Sequence, residues 1–435
     1  MKTPPSVGFG QALKFWLWLG CVSFGGPAGQ IALMHQELVV RRRWISESRY
    51  LHALHYCMLL PGPEAQQLAT YIGWLMHRTR GGIAAGALFV LPSLVLMIAL
   101  SWAYLAWGQH PWGQALLWGL KPAVTALVLQ AIHRMAKRTL HAPWLWTLAT
   151  LSLLGTLLGV GFAWLVAAAA LVGWLMARQR AVVTTGHSTA ATRQEAPAWI
   201  DDHTPAPEHA RHSPGRLLRT AGIGLALWGL TLGGLALLLG AGHTLVRMGG
   251  FFTEAALLTF GGAYAVLPYV TQAAVSQYGW LSAAQMMDGL ALGETTPGPL
   301  IMVLAFVGFV GGYSQNLLGD PFLGGMAAAC VATWFTFLPS FVFILAGGPL
   351  VESSRHMPSL VGPLQAIGGA VIGVMLQLAG TFAWHTVFPS AVWTQPDLAA
   401  LALTAGAAWL LIQRQWSAVQ VLGVCVLAGL ARQWL

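Results

Sequence analysis

The chain has 435 residues, 56% of them hydrophobic and only 8% charged, with 21 Trp and a formal net charge of +9. Soluble domains carry about 25% charged residues, so this composition excludes an ordinary soluble enzyme or binding domain and indicates a polytopic membrane protein. The cations fall in short loops between apolar runs, which the positive-inside rule explains and nucleic-acid binding does not.

In chain order, residues 1–10 are polar and Pro-rich and lack the apolar core of a cleavable signal, so the N-terminus is expected to be retained. Apolar spans then cover 11–40, 50–76, 82–107, 112–133, 142–157 and 160–176, the full ones near the roughly 20 residues a bilayer requires. Gly25-Gly26-Pro27 interrupts the first span, and Pro61-Gly62-Pro63 interrupts the second. Residues 177–216 are rich in Arg, His, Thr, Pro and acids without apolar periodicity, and read as a cytoplasmic linker of low order. Spans resume at 217–239, 250–270, 283–310, 323–346, 360–384, 397–412 and 419–430. Three regions follow: an N-terminal membrane domain over 1–176, the linker over 177–216, and a C-terminal membrane domain over 217–435 that includes an extra connecting helix. Cys21, Cys57, Cys330 and Cys425 are far apart in apolar runs and are expected to pack in the core.

The two membrane domains repeat each other. Ser23-Phe24-Gly25-Gly26 matches Thr259-Phe260-Gly261-Gly262, Trp44-Ile45-Ser46 matches Trp280-Leu281-Ser282, and Pro61-Gly62-Pro63 matches Pro297-Gly298-Pro299, all at an offset of 236 (297 minus 61). Leu91-Pro92-Ser93 matches Leu338-Pro339-Ser340 at an offset of 247 (338 minus 91), so the second copy has gained 11 residues (247 minus 236) in between. Arg41, Arg42, Arg43, Arg49, Arg78, Arg80, Arg134, Lys137 and Arg138 mark cytoplasmic loops in the first copy, whereas no Lys or Arg occurs between Arg247 and Arg355. The second copy is therefore expected to face the other way. The fold class is an all-α polytopic integral membrane protein whose two homologous halves form an inverted-topology repeat, with broken helices at Pro-Gly-Pro.

Broken helices place irregular backbone where it lines a cavity. Pro61 and Pro63 remove backbone donors, and Pro63 suits the first turn of a new helix, which would point free N–H groups and the positive end of a dipole into the membrane interior. Pro297 and Pro299 act likewise in the second copy. Such termini attract an anion, with Gly25, Gly26, Gly62, Glu64, Gln66, Gln67, Gly261, Gly262, Thr295, Thr296 and Gly298 as candidate lining. The plain alternative is a loop between two short spans, and the paired glycines serve close packing equally well. Lys121 stands mid-span, where a cation requires a partner or a watery cavity, and is a candidate ligand unless it reaches an interface or pairs with a buried Glu such as Glu64 or Glu294. Glu64 and Glu294 flank the two turns as candidates for coupling or gating, and Glu254 and Asp288 are further acids. Arg41, Arg42 and Arg43 read as an anion-gathering vestibule or as a topology signal. His52 and His55 share a helical face, but no further ligand completes a metal site. No metal and no cofactor are expected.

At this point the residues carry a resemblance. Phe24-Gly25-Gly26-Pro27-Ala28-Gly29-Gln30-Ile31-Ala32, Met34-His35-Gln36-Glu37-Leu38, Arg41-Arg42-Arg43-Trp44, Leu59-Leu60-Pro61-Gly62-Pro63-Glu64-Ala65-Gln66-Gln67-Leu68-Ala69-Thr70 and Glu294-Thr295-Thr296-Pro297-Gly298-Pro299-Leu300 resemble the chromate transporter family in its long two-domain form. The resemblance implies chromate efflux across a bacterial inner membrane and chromate resistance, with sulfate as a competing analogue and the bilayer as surroundings. A homo-oligomer is compatible with it. His55 stands where the family pattern leads one to expect Asn, and Ala305 where Gln is frequent. A sulfate or other oxyanion transporter is the alternative within the class; a membrane oxidoreductase subunit is the alternative outside it, and otherwise no enzymatic activity is expected.

Overall fold

The computed structural model describes residues 6–108, 110–180, 198–201, 208–210, 213–260, 262–353, 361–389 and 395–432. These are helices and turns without a strand; one isolated bridge joins Ile45 and Ile200. The first half contains α1 (Phe9–Val22), α2 (Gly26–His35), α3 (Glu47–Leu59), α4 (Glu64–Trp107), α5 (Pro111–Thr139), α6 (Pro143–Leu157) and α7 (Phe162–Arg180). After the connecting helix α8 (Pro214–Leu239), the second half contains α9 (Thr244–Leu257), α10 (Leu267–Thr271), α11 (Ala283–Thr295), α12 (Val303–Ser314), α13 (Pro321–Ser353), α14 (Val361–Val387), α15 (Leu398–Ile412) and α16 (Ala418–Arg432). Five described helices are long and apolar enough to cross a membrane: Glu64–Trp107, Pro111–Thr139, Pro214–Leu239, Pro321–Pro349 and Gly362–Val387. The outer surface is apolar, as a lipid solvent requires: α8 exposes Leu218, Leu225, Leu230, Leu237 and Leu238. For the same reason Cys21 and Cys330 stand on the surface, against the expectation that all four cysteines are buried; only Cys57 and Cys425 lie inside.

The repeat extends to the details of the backbone. A π-helical segment over Gln36–Arg41 recurs at Gln272–Gln277 (272 minus 36 is 236). After each, a residue with positive φ, Arg43 at 51° and Gly279 at 59°, turns the chain. The amides of Trp44 and Trp280 then close back onto the Leu38 and Ala274 carbonyls at 2.7 and 2.8 Å. Ser46 caps α3 through the Arg49 amide, and Ser282 caps α11 through the Gln285 amide. Both helices run 13 residues and stop at the Pro-Gly-Pro turn, where the two prolines deny the continuing helix its donors. Further on the copies diverge. α4 passes through a kink at His77 and Arg78, the latter with φ of 58°. At the corresponding place the second half opens into the 315–320 loop between α12 and α13, so its extra residues lie in that loop and at the start of α13. α6 and α15, both 15 residues long, correspond at 255 (398 minus 143), a further drift that sets Arg414 opposite Gly159.

The halves interlock. α6 and α7 of the first half pack on α14 of the second, while α15 and α16 of the second pack on α5 of the first, and α5 and α14 pack on each other. One apolar core crosses the boundary, joining Met97, Val124 and Leu127 to Leu267, Met302, Phe306 and Met375. α7 continues to Arg180 and α8 begins at Pro214. Of the linker itself, residues 198–201 and 208–210 lie against the first half. The Trp199 and Ile200 amides donate to the Arg43 and Trp44 carbonyls, and the Ser46 amide donates to the Ile200 carbonyl, at 3.0, 3.1 and 3.0 Å. Ile200 and Ala210 thereby join the core around Trp16, Tyr50 and Ile72. Arg355 lies outside the described residues.

Candidate functional site

The two Pro-Gly-Pro turns meet. Each glycine has positive φ, 120° at Gly62 and 101° at Gly298, a conformation that glycine adopts without steric penalty. The Gly62 amide donates to the carbonyl of Thr259, and the Gly298 amide donates to the carbonyl of Ser23, both at 2.8 Å. Thr259 and Ser23 immediately precede the Phe-Gly-Gly motifs and are equivalent in the repeat. The packing is reciprocal too: a Cβ on Gly62 would lie 2.3 Å from Ser340 Oγ, and one on Gly298 would lie 2.6 Å from Ser93 Cβ. Each turn thus inserts between a broken helix and a long helix of the opposite half.

Around this crossing the first half supplies amides. Gln30, fully buried, donates through Nε2 to the Gly298 carbonyl and, at 3.4 Å, to that of Ser23. Gln67 donates to the Pro61 carbonyl at 2.7 Å and to Ser340 Oγ at 3.3 Å. Gln66 donates to Thr70 Oγ1 at 3.0 Å. Ser23 and Ser93 bury hydroxyls without partners. Pro27, Gln30, Pro63, Glu64, Ala65, Ala263, Pro299, Leu300 and Ile301 enclose a cavity of about 10 Å³, room for roughly one water. Glu64 opens α4, with Pro63 at its N-cap. Arg138 acts on Glu64 and Arg134 on Glu294, both arginines from the exposed last turns of α5. Glu294 accepts a hydrogen bond from the Tyr264 hydroxyl.

Not every residue predicted from the sequence points here. Lys121 is not among the cavity-lining residues; the carboxylate its charge acts on is Asp288. The Thr295 and Thr296 hydroxyls donate to the Leu292 and Gly293 carbonyls of their own helix. Gly25 and Gly26, with φ of 89° and 67°, form the break before α2, and Gly262 precedes the cavity-lining Ala263. Gly261 lies outside the described residues. Pro61 and Pro297 frame the turns from half-buried positions. Arg41 and Arg42 pair with the buried Glu37 at 2.6 and 3.1 Å, and Arg42 covers Phe15 and Trp44. Arg43 supplies the positive-φ turn instead.

Three residues at the crossing escape the sequence reading. Gln30 is an amide within a short apolar helix, and its polarity four residues after the break at Gly26 is the signal. Arg134 and Arg138 read simply as loop cations.

The Chromate transporter family model matches residues 10–174 and 246–430, leaving α8 and the linker between the two matches. Over 377 residues the chain is 31% identical to a chromate transport protein of Pseudomonas aeruginosa, covering 86% of this chain and 80% of that protein. It is 27% identical over 378 residues to the chromate transport protein of Cupriavidus metallidurans, covering 86% and 82%. A probable chromate transport protein of Synechococcus elongatus is also 27% identical, covering 86% and 85%. No solved structure matches the chain. The chain is a multi-pass membrane protein and belongs to the chromate transporter family.

Proposed function

We propose that this protein exports chromate from the cytoplasm across the bacterial inner membrane, through the crossing of the two Pro-Gly-Pro turns. The observation that carries this reading is the reciprocal pair of glycine amides, each spent on a carbonyl of the opposite half, beside the amides of Gln30 and Gln67. A tetrahedral dianion accepts many hydrogen bonds, and these are the donors it would compete for. The relatives named for chromate transport support the choice of oxyanion. Sulfate, of the same shape and charge, is the competing substrate.

A cavity the size of one water does not hold chromate, so this conformation is closed and the turns part before the anion enters. Each hydrogen bond between the halves contributes about 1 kcal/mol net, so parting them costs a few kcal/mol. A membrane potential favours outward movement of an anion by about 2.3 kcal/mol per charge per 100 mV, a comparable quantity. The inverted orientation of the halves would let one turn close the path on each side. Arg134 and Arg138 offset the Glu64 and Glu294 carboxylates at the entrance and draw anions toward it.

Uptake of chromate into inverted membrane vesicles tests the reading, with sulfate as competitor. Uptake absent without the protein and present with it is expected; vesicles that take up chromate equally in both cases contradict the proposal.

A further inference from the structure

A second polar cluster lies apart from the crossing of the turns. Asp288 sits on α11 with 4% exposure. The Tyr104 hydroxyl of α4 donates to its Oδ2 at 3.0 Å, and its Oδ1 is buried without a hydrogen-bond partner. Lys121 of α5 is near enough for its charge to act on the carboxylate, yet among the described ion pairs none closes between the two. Tyr104 and Lys121 are the titratable groups acting on Asp288; α12, α14 and α16, which also pack against α11, add none. Tyr104 is itself held edge-on against Phe306 of α12, with ring centroids 5.4 Å apart.

The cluster draws on both copies and has no counterpart in the repeat. At an offset of 236, Asp288 corresponds to His52, and at 247 Lys121 corresponds to Gly368. The amides of the crossing diverge in the opposite sense: Gln30, Gln66 and Gln67 correspond to Val266, Met302 and Val303. Duplication supplies both copies with the same chemistry, so this division separates an amide set in the first half from an acid in the second.

A buried carboxylate with an unsatisfied oxygen is costly when ionised. A proton on Oδ1 removes that cost, and a nearby lysine offsets the charge once the proton has left. An ion pair closed at hydrogen-bond distance would hold one state; the open arrangement leaves both within reach. α11 runs without interruption from Asp288 to Thr295 and the Pro297-Gly298-Pro299 turn. Parting of the turns therefore moves Asp288 against Tyr104 and Lys121, which stand on α4 and α5.

We infer that Asp288, hydrogen-bonded by Tyr104 and with Oδ1 left open, carries the proton exchanged against the exported anion. One proton is taken up from the outer side and released to the cytoplasm for each anion that leaves. This rests on the transport reading above, and the experiment separates the two. The full chain is reconstituted in liposomes with the potential clamped at zero, in the alkaline range where chromate stays a dianion. Two quantities are measured: chromate-for-chromate exchange, and net chromate efflux with and without an acid step in the receiving compartment. In the unaltered protein the acid step is expected to speed net efflux several-fold. In Asp288→Asn exchange is expected to persist while the acceleration vanishes. Where Asp288→Asn also loses exchange, Asp288→Glu is expected to restore both. An unaltered protein without acceleration, an Asp288→Asn variant that keeps it, or an Asp288→Glu variant that fails to restore it overturns the inference. Absence of exchange in the unaltered protein tells against the transport reading itself.

Discussion

Gly62 donates its amide proton to the carbonyl of Thr259 at 2.8 Å, a bond from one half of the chain to the other that Gly298 and Ser23 repeat in reverse. A duplicated chain that only stacked its halves side by side would satisfy each turn within its own copy. Here each turn is completed by the other copy, and the long helices exchange partners in the same way: α14 receives α6 and α7, α5 receives α15 and α16. The halves consequently cannot move apart as independent bodies.

The charge distribution between the copies predicts opposite orientation in the membrane. Arg43 and Gln277 follow or end equivalent π-helical segments and are both exposed. In a background where Cys21 and Cys330 are replaced by Ala, Arg43→Cys and Gln277→Cys are expected to react with a membrane-impermeant thiol reagent from opposite sides. Reaction of both from one side contradicts the inverted arrangement.

The strap formed by 198–201 performs a task that a side chain performs in the second half. There Gln285 Oε1 accepts from the Ser282 amide and completes a capping box; the equivalent residue is Arg49, whose guanidinium can only donate, and the Ile200 carbonyl accepts from the Ser46 amide instead. Ile200 is 6% exposed, and its side chain contributes about 2 kcal/mol of burial. Ile200→Asp is expected to release the strap, read as faster amide exchange at Trp199, Ile200 and Ser46, with α11 unaffected.

His209, in the 208–210 segment of the linker, binds beside the kink of α4. Its Nε2–H donates to the Trp74 carbonyl at 3.0 Å, whose regular helical donor would be the Arg78 amide four residues on. Burial holds the imidazole below its ordinary value of 6.5, and Arg78 and Arg216 push the same way, against the bond to Trp74. A histidine depressed in the docked state binds its proton more readily when released, so docking is complete above pH 6.5 and weakens as pH falls below it. Proteolytic cleavage within the linker is expected to accelerate below pH 6.5 in the unaltered protein and to lose that dependence in His209→Gln.

Much of this was legible in the residues, and what was legible was punctuation. Pro63 and Pro299 fix φ and remove donors, and Gly62 and Gly298 admit the positive φ that a turn needs, so the breaks and the 236-residue register follow from local rules. The later register of 255 is carried by α6 and α15, apolar helices without such marks, and only packing reveals it. The partner of Gln30 is Gly298, 268 residues away, and the acid nearest in effect to Lys121, Asp288, is on another helix; spacing along a chain carries no information of that kind. Trp199 and Ile200 are two apolar residues in a polar linker, and their burial depends on a surface built by the positive-φ turn at Arg43. Composition alone describes the linker as solvated and misses that surface.

The central claim is that the crossing of the two glycine turns is the path of the anion, and chromate flux through Gly62→Ala and Gly298→Ala measures it most directly. A Cβ at either position meets the opposite half at 2.3 or 2.6 Å and requires a φ that alanine rarely adopts. Both variants, reconstituted and monodisperse, are expected to lose about tenfold or more of the flux, and Ser93→Gly is expected to return part of it to Gly298→Ala by removing the facing side chain. Undiminished flux in both glycine variants would contradict the account.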